Sequence, residues 1–224
     1  MEVTIRNRPD YATVHLVLDT GEQVVTEPGV MMGMDPALKL ESSLKGGLMA
    51  AAKRALVGES LVLTTWTATG DGQRLDLAPG PPGDVVGIEL DGGSIVLQKG
   101  AFLAATTGIS LDVKWAGAKG FLSGESLLMI RATGVGQLFA CSYGAIEQVD
   151  VNGSYEVDTT HVVAFDEGLT WDVVRVGGLK STLLSQEGLV VRFGGQGRVW
   201  FQTRSAPNLA SFLHPFRPVQ PRRS

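Results

Sequence analysis

One phrase occurs three times along the chain: Gly58-Glu59-Ser60-Leu61-Val62-Leu63, Gly124-Glu125-Ser126-Leu127-Leu128-Met129 and Gln186-Glu187-Gly188-Leu189-Val190-Val191. Each copy runs through an apolar stretch into a glycine pair: Gly70-Asp71-Gly72, Gly134-Val135-Gly136 and Gly195-Gln196-Gly197. A second extended run follows each pair, Gln73 to Leu77, Gln137 to Tyr143 and Arg198 to Thr203. A strand, a G-x-G turn and a strand spell a β-hairpin, and glycine suits hairpin turns because they need positive φ. The sequence therefore predicts three hairpins, at spacings near those of a tandem array.

The segments between the hairpins agree in order. Val14 to Leu18 and Gln23 to Thr26 read as the first strands, and Pro28-Gly29 as a turn. Period-2 alternation, the mark of a half-buried strand, appears at Leu38/Leu40, at Ile109/Leu111/Val113 and at Leu169/Trp171/Val173. Asp91-Gly92-Gly93 and Asn152-Gly153 read as further turns, the second being the strongest hairpin signal in the chain. Lys45 to Val57 holds the strong helix formers and predicts one short helix, with Lys53-Arg54 on its solvated face. Pro79-Gly80-Pro81-Pro82-Gly83 cannot carry a strand and reads as a linker. These boundaries give a single domain over residues 1–224, made of three units at about 11–79, 84–145 and 146–205 and a Pro/Arg-rich tail at 206–224. The expected fold class is all-β. Three hairpin-containing repeats would form a pseudo-symmetric β-sandwich or barrel of the double-stranded β-helix kind, because closure removes exposed strand edges.

Charge and cysteine content narrow the functional classes. All 23 acidic residues lie at or before Glu187, and 16 of the 19 basic ones at or before Arg204. The body is therefore near −7, while Arg217, Arg222 and Arg223 put +3 on the tail. An acidic body argues against wide contact with a nucleic-acid backbone. Pro215, Pro218 and Pro221 predict a solvated tail without regular structure. Cys141 is the only cysteine, so no intrachain disulfide forms. Met1 to Tyr11 is polar and charged, unlike a signal or transit peptide, and no run approaches the roughly 18 to 20 apolar residues of a membrane span. The expected location is cytoplasmic.

No constellation with clear chemistry stands out. The three histidines, His15, His161 and His214, stand in no metal-binding spacing, so no metal ligand is assigned. Asp158 with His161 is the one close acid–histidine pair on an element, and a turn residue is the favoured reading of His161 over a general base. Cys141, inside Leu138-Phe139-Ala140-Cys141-Ser142-Tyr143, reads as a small buried residue rather than a nucleophile. The G-x-G pairs lack the third glycine and the following helix of a dinucleotide fingerprint. Trp66, Trp115, Trp171 and Trp200 read as core or interface residues rather than base-stacking platforms. No catalytic or cofactor-binding residue and no cofactor is assigned.

Gly46-Gly47-Leu48, Lys53-Arg54 and Gly58-Glu59-Ser60-Leu61, followed by Thr64-Thr65 and a G-x-G pair, resemble the altered inheritance of mitochondria protein 24 family, also catalogued as domain of unknown function 124. Gly100-Ala101-Phe102-Leu103-Ala104 and Asp158 with His161-Val162-Val163-Ala164-Phe165 are similar to its second- and third-unit signatures. The resemblance covers roughly residues 1 to 205. It implies three tandem β units with a fold similar to the trp RNA-binding attenuation protein, and a homotrimer. It supplies no catalytic residues. The leading functional expectation is a non-enzymatic binding or scaffold protein, acting as a trimeric β ring toward an unidentified protein partner. The alternatives are a regulator that binds RNA or a small ligand, by fold analogy, and a hydrolase or isomerase that uses Asp158 and His161.

Overall fold

Side chains alternate along Thr13–Leu18 between half-buried and buried, so one face of this strand carries Val14, Leu16 and Leu18 into the interior. The same logic organises the chain, whose computed structural model describes residues 1–44, 62–115, 128–175 and 189–217. In the first part the strands are β1 (Glu2–Arg6), β2 (Thr13–Leu18), β3 (Gln23–Thr26), β4 (Met31–Met34), β5 (Lys39–Leu44), β6 (Val62–Thr67) and β7 (Gln73–Leu77). Then come β8 (Val85–Gln98), β9 (Phe102–Thr106), β10 (Ile109–Trp115) and β11 (Leu128–Cys141). The last are β12 (Ile146–Asp158), β13 (Val162–Asp166), β14 (Thr170–Arg175) and β15 (Leu189–Gln202), followed by a helix, α1 (Ala206–Leu213).

The strands form two sheets. The smaller has the order β1-β2-β7-β4. The larger runs β12-β15-β13-β8-β11-β9-β3-β6-β5, with β10 also on β11 and β14 also on β15. Strand pairing within the sheets is antiparallel, for example Leu16 against Leu75 and Val151 against Gly197. The smaller sheet lays Leu16, Leu18, Leu75 and Leu77 on Val24, Trp66, Leu103 and Phe139 of the larger one. Two further clusters continue the core, one around Phe102, Ile130 and Leu138, the other around Phe165, Phe193 and Val199. Phe102, Phe139, Phe165 and Phe193 are among the largest fully buried side chains. Each such burial stabilises the fold by about 2–3 kcal/mol. The all-β expectation holds, and among the described residues α1 is the one α-helix. The barrel does not, because the larger sheet stays open, with β12 and β5 at its ends.

The expected hairpins are corrected. β11 runs unbroken through Gly134 and Gly136, and β15 through Gly195 and Gly197. Their partners lie upstream: β8 pairs with β11 from Val85↔Cys141 to Gln98↔Met129, and β12 with β15 from Ile146↔Gln202 to Asp158↔Val190. β6 and β7, on either side of Gly70–Gly72, belong to different sheets. Asp91-Gly92-Gly93 and Asn152-Gly153 lie inside β8 and β12 and turn nothing. Gly92, Gly134, Gly136, Gly153 and Gly195 do adopt positive φ, but as kinks in long strands. Gly134 (φ 139°) stands opposite a β-bulge, one residue facing Gly92 and Gly93 of β8, and a Cβ on it would stand 2.1 Å from the carbonyl oxygen of Gly108. Long two-stranded ladders satisfy more backbone groups than short hairpins, and this decides the pairing.

Other expectations sort plainly. Leu38, Ile109, Leu111, Leu169 and Val173 are buried as their alternation predicts, while Leu40 is 52% exposed. No strand runs through 79–83, where Gly83 makes a single parallel bridge to Gly144. The helix expected at 45–57 falls outside the described residues. The tail begins in regular structure, contrary to expectation: Ser205 caps α1, Pro207 stands in its first turn, and the described prolines end it only at a 3-10 turn over His214–Phe216. No helix of the described residues is long and apolar enough to cross a membrane.

Candidate functional site

The turn that joins β12 to β13 holds the predicted acid–histidine pair, but not as a pair. Thr160 donates to Asp158 Oδ1 through both its backbone N–H (2.8 Å) and its hydroxyl (2.6 Å). The His161 N–H donates to the carbonyl of Asp158 (2.9 Å), and His161 Nδ1 donates to the carbonyl of Gln202 (2.6 Å). A carbonyl only accepts, so Nδ1 carries a proton. Carboxylate and imidazole thus serve two separate sets of backbone contacts. His161 is a turn residue, as the favoured reading has it.

This turn forms one wall of a cleft of about 350 Å³. Pro81 and Tyr143 form another wall, Ala101 and Val162 lie among the apolar lining, and Pro207 borders it from the first turn of α1. Gln202 clamps two of these walls together: its Oε1 accepts from Tyr143 N–H (2.9 Å) and its Nε2 donates to Thr160 O (2.9 Å). The described lining carries hydroxyls and amides but no charged side chain. Such a surface suits an uncharged ligand or an apolar chain segment rather than a phosphate.

α1 leaves the body at this cleft and buries none of its residues. Leu209, Phe212, Leu213 and Phe216 follow at i, i+3, i+4 and i+7, which places them on one face. They are 41%, 66%, 51% and 73% exposed. The signal for this helix is present in the sequence as a serine cap, an early proline and the 3–4 spacing, but the later prolines hide it.

The histidine that does meet a carboxylate is His15. β2 and β7 pair in a register that sets His15 opposite Asp76, with Nδ1 2.7 Å from Oδ1. Thr13 Oγ1 is 3.0 Å from His15 Nε2, and Arg74 Nε donates to the same Asp76 oxygen at 2.8 Å. The order hydroxyl, imidazole, carboxylate is that of a nucleophile triad. Here the carboxylate already has a guanidinium, and Arg74 Nη2 also stands 3.3 Å from His15 Nδ1. The chain of bonds is therefore a cross-strand tie. Burial pushes the Asp76 carboxyl up, but hydrogen bonds from Arg74 and His15 outweigh it and hold the acid below its ordinary value. Sequence reading places His15 on a strand; it misses Asp76, whose approach depends on a register across 61 positions.

The remaining candidates are structural. Cys141 is buried with Sγ 3.8 Å from Gly100 O, and burial pushes its thiol up to about 12. Trp66 is buried with its indole N–H on Thr26 Oγ1 (3.1 Å), Trp171 packs on Phe165, and Trp200 is buried beneath the Arg198 guanidinium. Among the described residues no group of three or more metal-ligating side chains converges.

Against known proteins, the chain is 29% identical over 229 residues to an uncharacterised protein of Streptococcus pyogenes serotype M6, covering 98% of this chain and 92% of the other. Its structure is similar to a crystal structure of a Streptococcus pyogenes protein determined in a structural genomics programme, with a TM-score of 0.83 at 27% identity, over 96% of this chain and 99% of that one. The profile of the family described as mitochondrial biogenesis AIM24 matches residues 3–204, nearly everything that precedes α1. By that match the chain belongs to the AIM24 family.

Proposed function

We propose that this chain is a non-enzymatic binding or scaffold protein that works as a homo-oligomer, a trimeric β ring. One observation carries the reading: Leu209, Phe212 and Leu213 of α1 and Phe216 of the 3-10 turn after it form an apolar stripe that the other described residues leave exposed. A stripe of this kind on a domain with a well-filled core marks an interaction surface. A head-to-tail contact that closes after three copies would cover it in every subunit. The open ends of the larger sheet, at β5 and β12, are further surfaces that assembly can cover. The Asp158 carboxylate and the His161 ring are each engaged by separate backbone groups, which supports binding over catalysis at that turn.

Light scattering on a sizing column, across protein concentration and salt, tests this. The expected mass is three times 23.7 kDa. A monomer at every concentration overturns the reading. Phe212→Ser with Phe216→Ser is expected to lower the mass while leaving the unfolding temperature of the separated subunit unchanged, because neither side chain is buried in it. A second reading, a small uncharged ligand in the cleft, is favoured by its neutral lining and Tyr143 at its wall.

A further inference from the structure

β4, β9 and β13 make one pairing three times over. Met34 lies opposite Leu75, Ala105 opposite Leu138 and Phe165 opposite Val199, each beside the same irregularity in register. One residue further on, a side chain takes the partner's backbone N–H in each case. Asp35 Oδ2 accepts from Arg74 (2.6 Å), Thr106 Oγ1 from Gln137 (3.1 Å) and Asp166 Oδ2 from Arg198 (2.8 Å). Met34, Ala105 and Phe165 therefore hold equivalent positions.

Two of these strands have a second neighbour, in one shared register. β9 also pairs with β3, Val24↔Thr106, Val25↔Ala105 and Thr26↔Ala104. β13 also pairs with β8, Ile95↔Asp166, Val96↔Phe165 and Leu97↔Ala164. β4 has no second neighbour among the described strands, and the smaller sheet ends with it. The stretch equivalent to 24–26 and 95–97 is Tyr155 to Val157 of β12. Trp66 lies between Val24 and Leu40, Ala132 between Ile95 and Leu111, and Phe193 between Tyr155 and Trp171. Leu40, Leu111 and Trp171 each stand five residues after Asp35, Thr106 and Asp166. β12 is the open end of the larger sheet.

Exposure follows the missing neighbour. Val24 and Ile95 are 0% and 1% exposed, and their counterpart Tyr155 is 38% exposed. Val96 is buried, whereas Glu156 is exposed. Ala105 and Phe165 are buried, Met34 is half-buried, and Met31 and Met32 of β4 are exposed. A strand edge with unpaired backbone groups is a template for another strand.

We propose that β12 of one copy pairs antiparallel with β4 of a second copy, Tyr155↔Asp35, Glu156↔Met34 and Val157↔Gly33. The proposal rests on the self-association reading and names the contact that links the copies. Within one chain β12 and β4 end different sheets and do not pair, so the occupant is a second copy. Each chain offers one edge of each kind. The contact is therefore head-to-tail, and a closed ring leaves neither edge open.

The test is a register-specific disulfide between full chains, with the buried Cys141 left in place. A Glu156→Cys chain is mixed with a Met34→Cys chain, exchanged and oxidised. Directly opposed Cα atoms are about 4.5–5.5 Å apart, within the span of a disulfide. The mixture is expected to give a covalent heterodimer, and neither chain alone a homodimer. Ser154→Cys in place of Glu156→Cys is displaced by two residues, past the roughly 7 Å limit, and lowers the yield about tenfold. Hydrogen exchange on the unsubstituted oligomer is the second readout, with slow exchange expected throughout residues 154–157. Homodimers, equal yields in the two registers, or fast exchange of alternate amides there, in a protein of oligomeric mass, overturn the strand pairing and leave self-association standing. A monomeric mass overturns both.

Discussion

Arg8 grips the buried carboxylate of Asp84 with two hydrogen bonds, Nε to Oδ1 at 2.7 Å and Nη2 to Oδ2 at 2.9 Å. The Asp84 side chain is 2% exposed and that of Arg8 48%. Asp84 also receives Val85 N–H at 2.8 Å, and its backbone bonds to Gly144 and Ser142. The pair thus fixes the segment after β1 to the start of β8. Arg8→Ala strands a buried carboxylate; with water able to reach the arginine side, the expected loss is about 2 kcal/mol. Arg8→Lys recovers part of it, because an ammonium cannot make the paired contact. Urea unfolding at neutral pH measures both, and equal midpoints for Arg8→Ala and the parent chain would show that the pair contributes nothing.

The Asp76 tie gives the fold an acid-sensitive element. Its folded-state acidity is strengthened, so its contribution is complete above the ordinary carboxylate range near 3.9 and is lost as pH falls through the lower folded value. Asp76→Asn is expected to destabilise the protein by about 1–3 kcal/mol at pH 7. The gap to the parent chain should narrow in strong acid, where Asp76 is protonated in both states. Thermal midpoints of the two proteins across acidic pH check this, and a constant gap would refute it.

How much of the molecule is legible in its sequence depends on range. Alternation at Ile109, Leu111 and Val173 is local and reads correctly. The pairing of long strands does not, because Gly134, Gly153 and Gly195 carry the same preference for positive φ whether they turn a chain or kink it. The choice between the two belongs to the partner strand: β8 meets β11 nowhere closer in sequence than Gln98 with Met129, and nothing near Gly134 records it. The cleft is also non-local, since Pro81, Tyr143, Thr160 and Gln202 come from four separate segments. His161 as a turn residue and Cys141 as a buried one can be read from their neighbours alone.

That difference between turn and kink has a measurable consequence at two glycines. Gly92 has φ +78° and open space for 4 Å around the point a Cβ would occupy, so Gly92→Ala meets only backbone strain, about 1 kcal/mol. Gly134→Ala meets the same kind of strain at φ +139° and also a carbonyl oxygen at 2.1 Å. The β10–β11 ladder must shift to admit it, and the expected loss is about 3 kcal/mol or more. Were Gly134 the tip of a free hairpin turn, the two substitutions would cost alike. Chemical unfolding of both variants in parallel decides the matter.

Cys141 reports on whether the core opens at all. Its thiol is walled in by Gly100 and its own strand, and burial pushes it up to about 12, so almost no thiolate exists at neutral pH. Alkylation of the native protein by iodoacetamide at pH 8 is therefore expected to wait for local or global unfolding. Its rate should follow the equilibrium population of open molecules: negligible in buffer, rising with urea in step with the unfolding curve. Reaction in buffer at the rate of a free cysteine would contradict the burial. A rise at urea concentrations well below the main transition would locate a separate opening near Gly100, where the wall of the cleft meets the core.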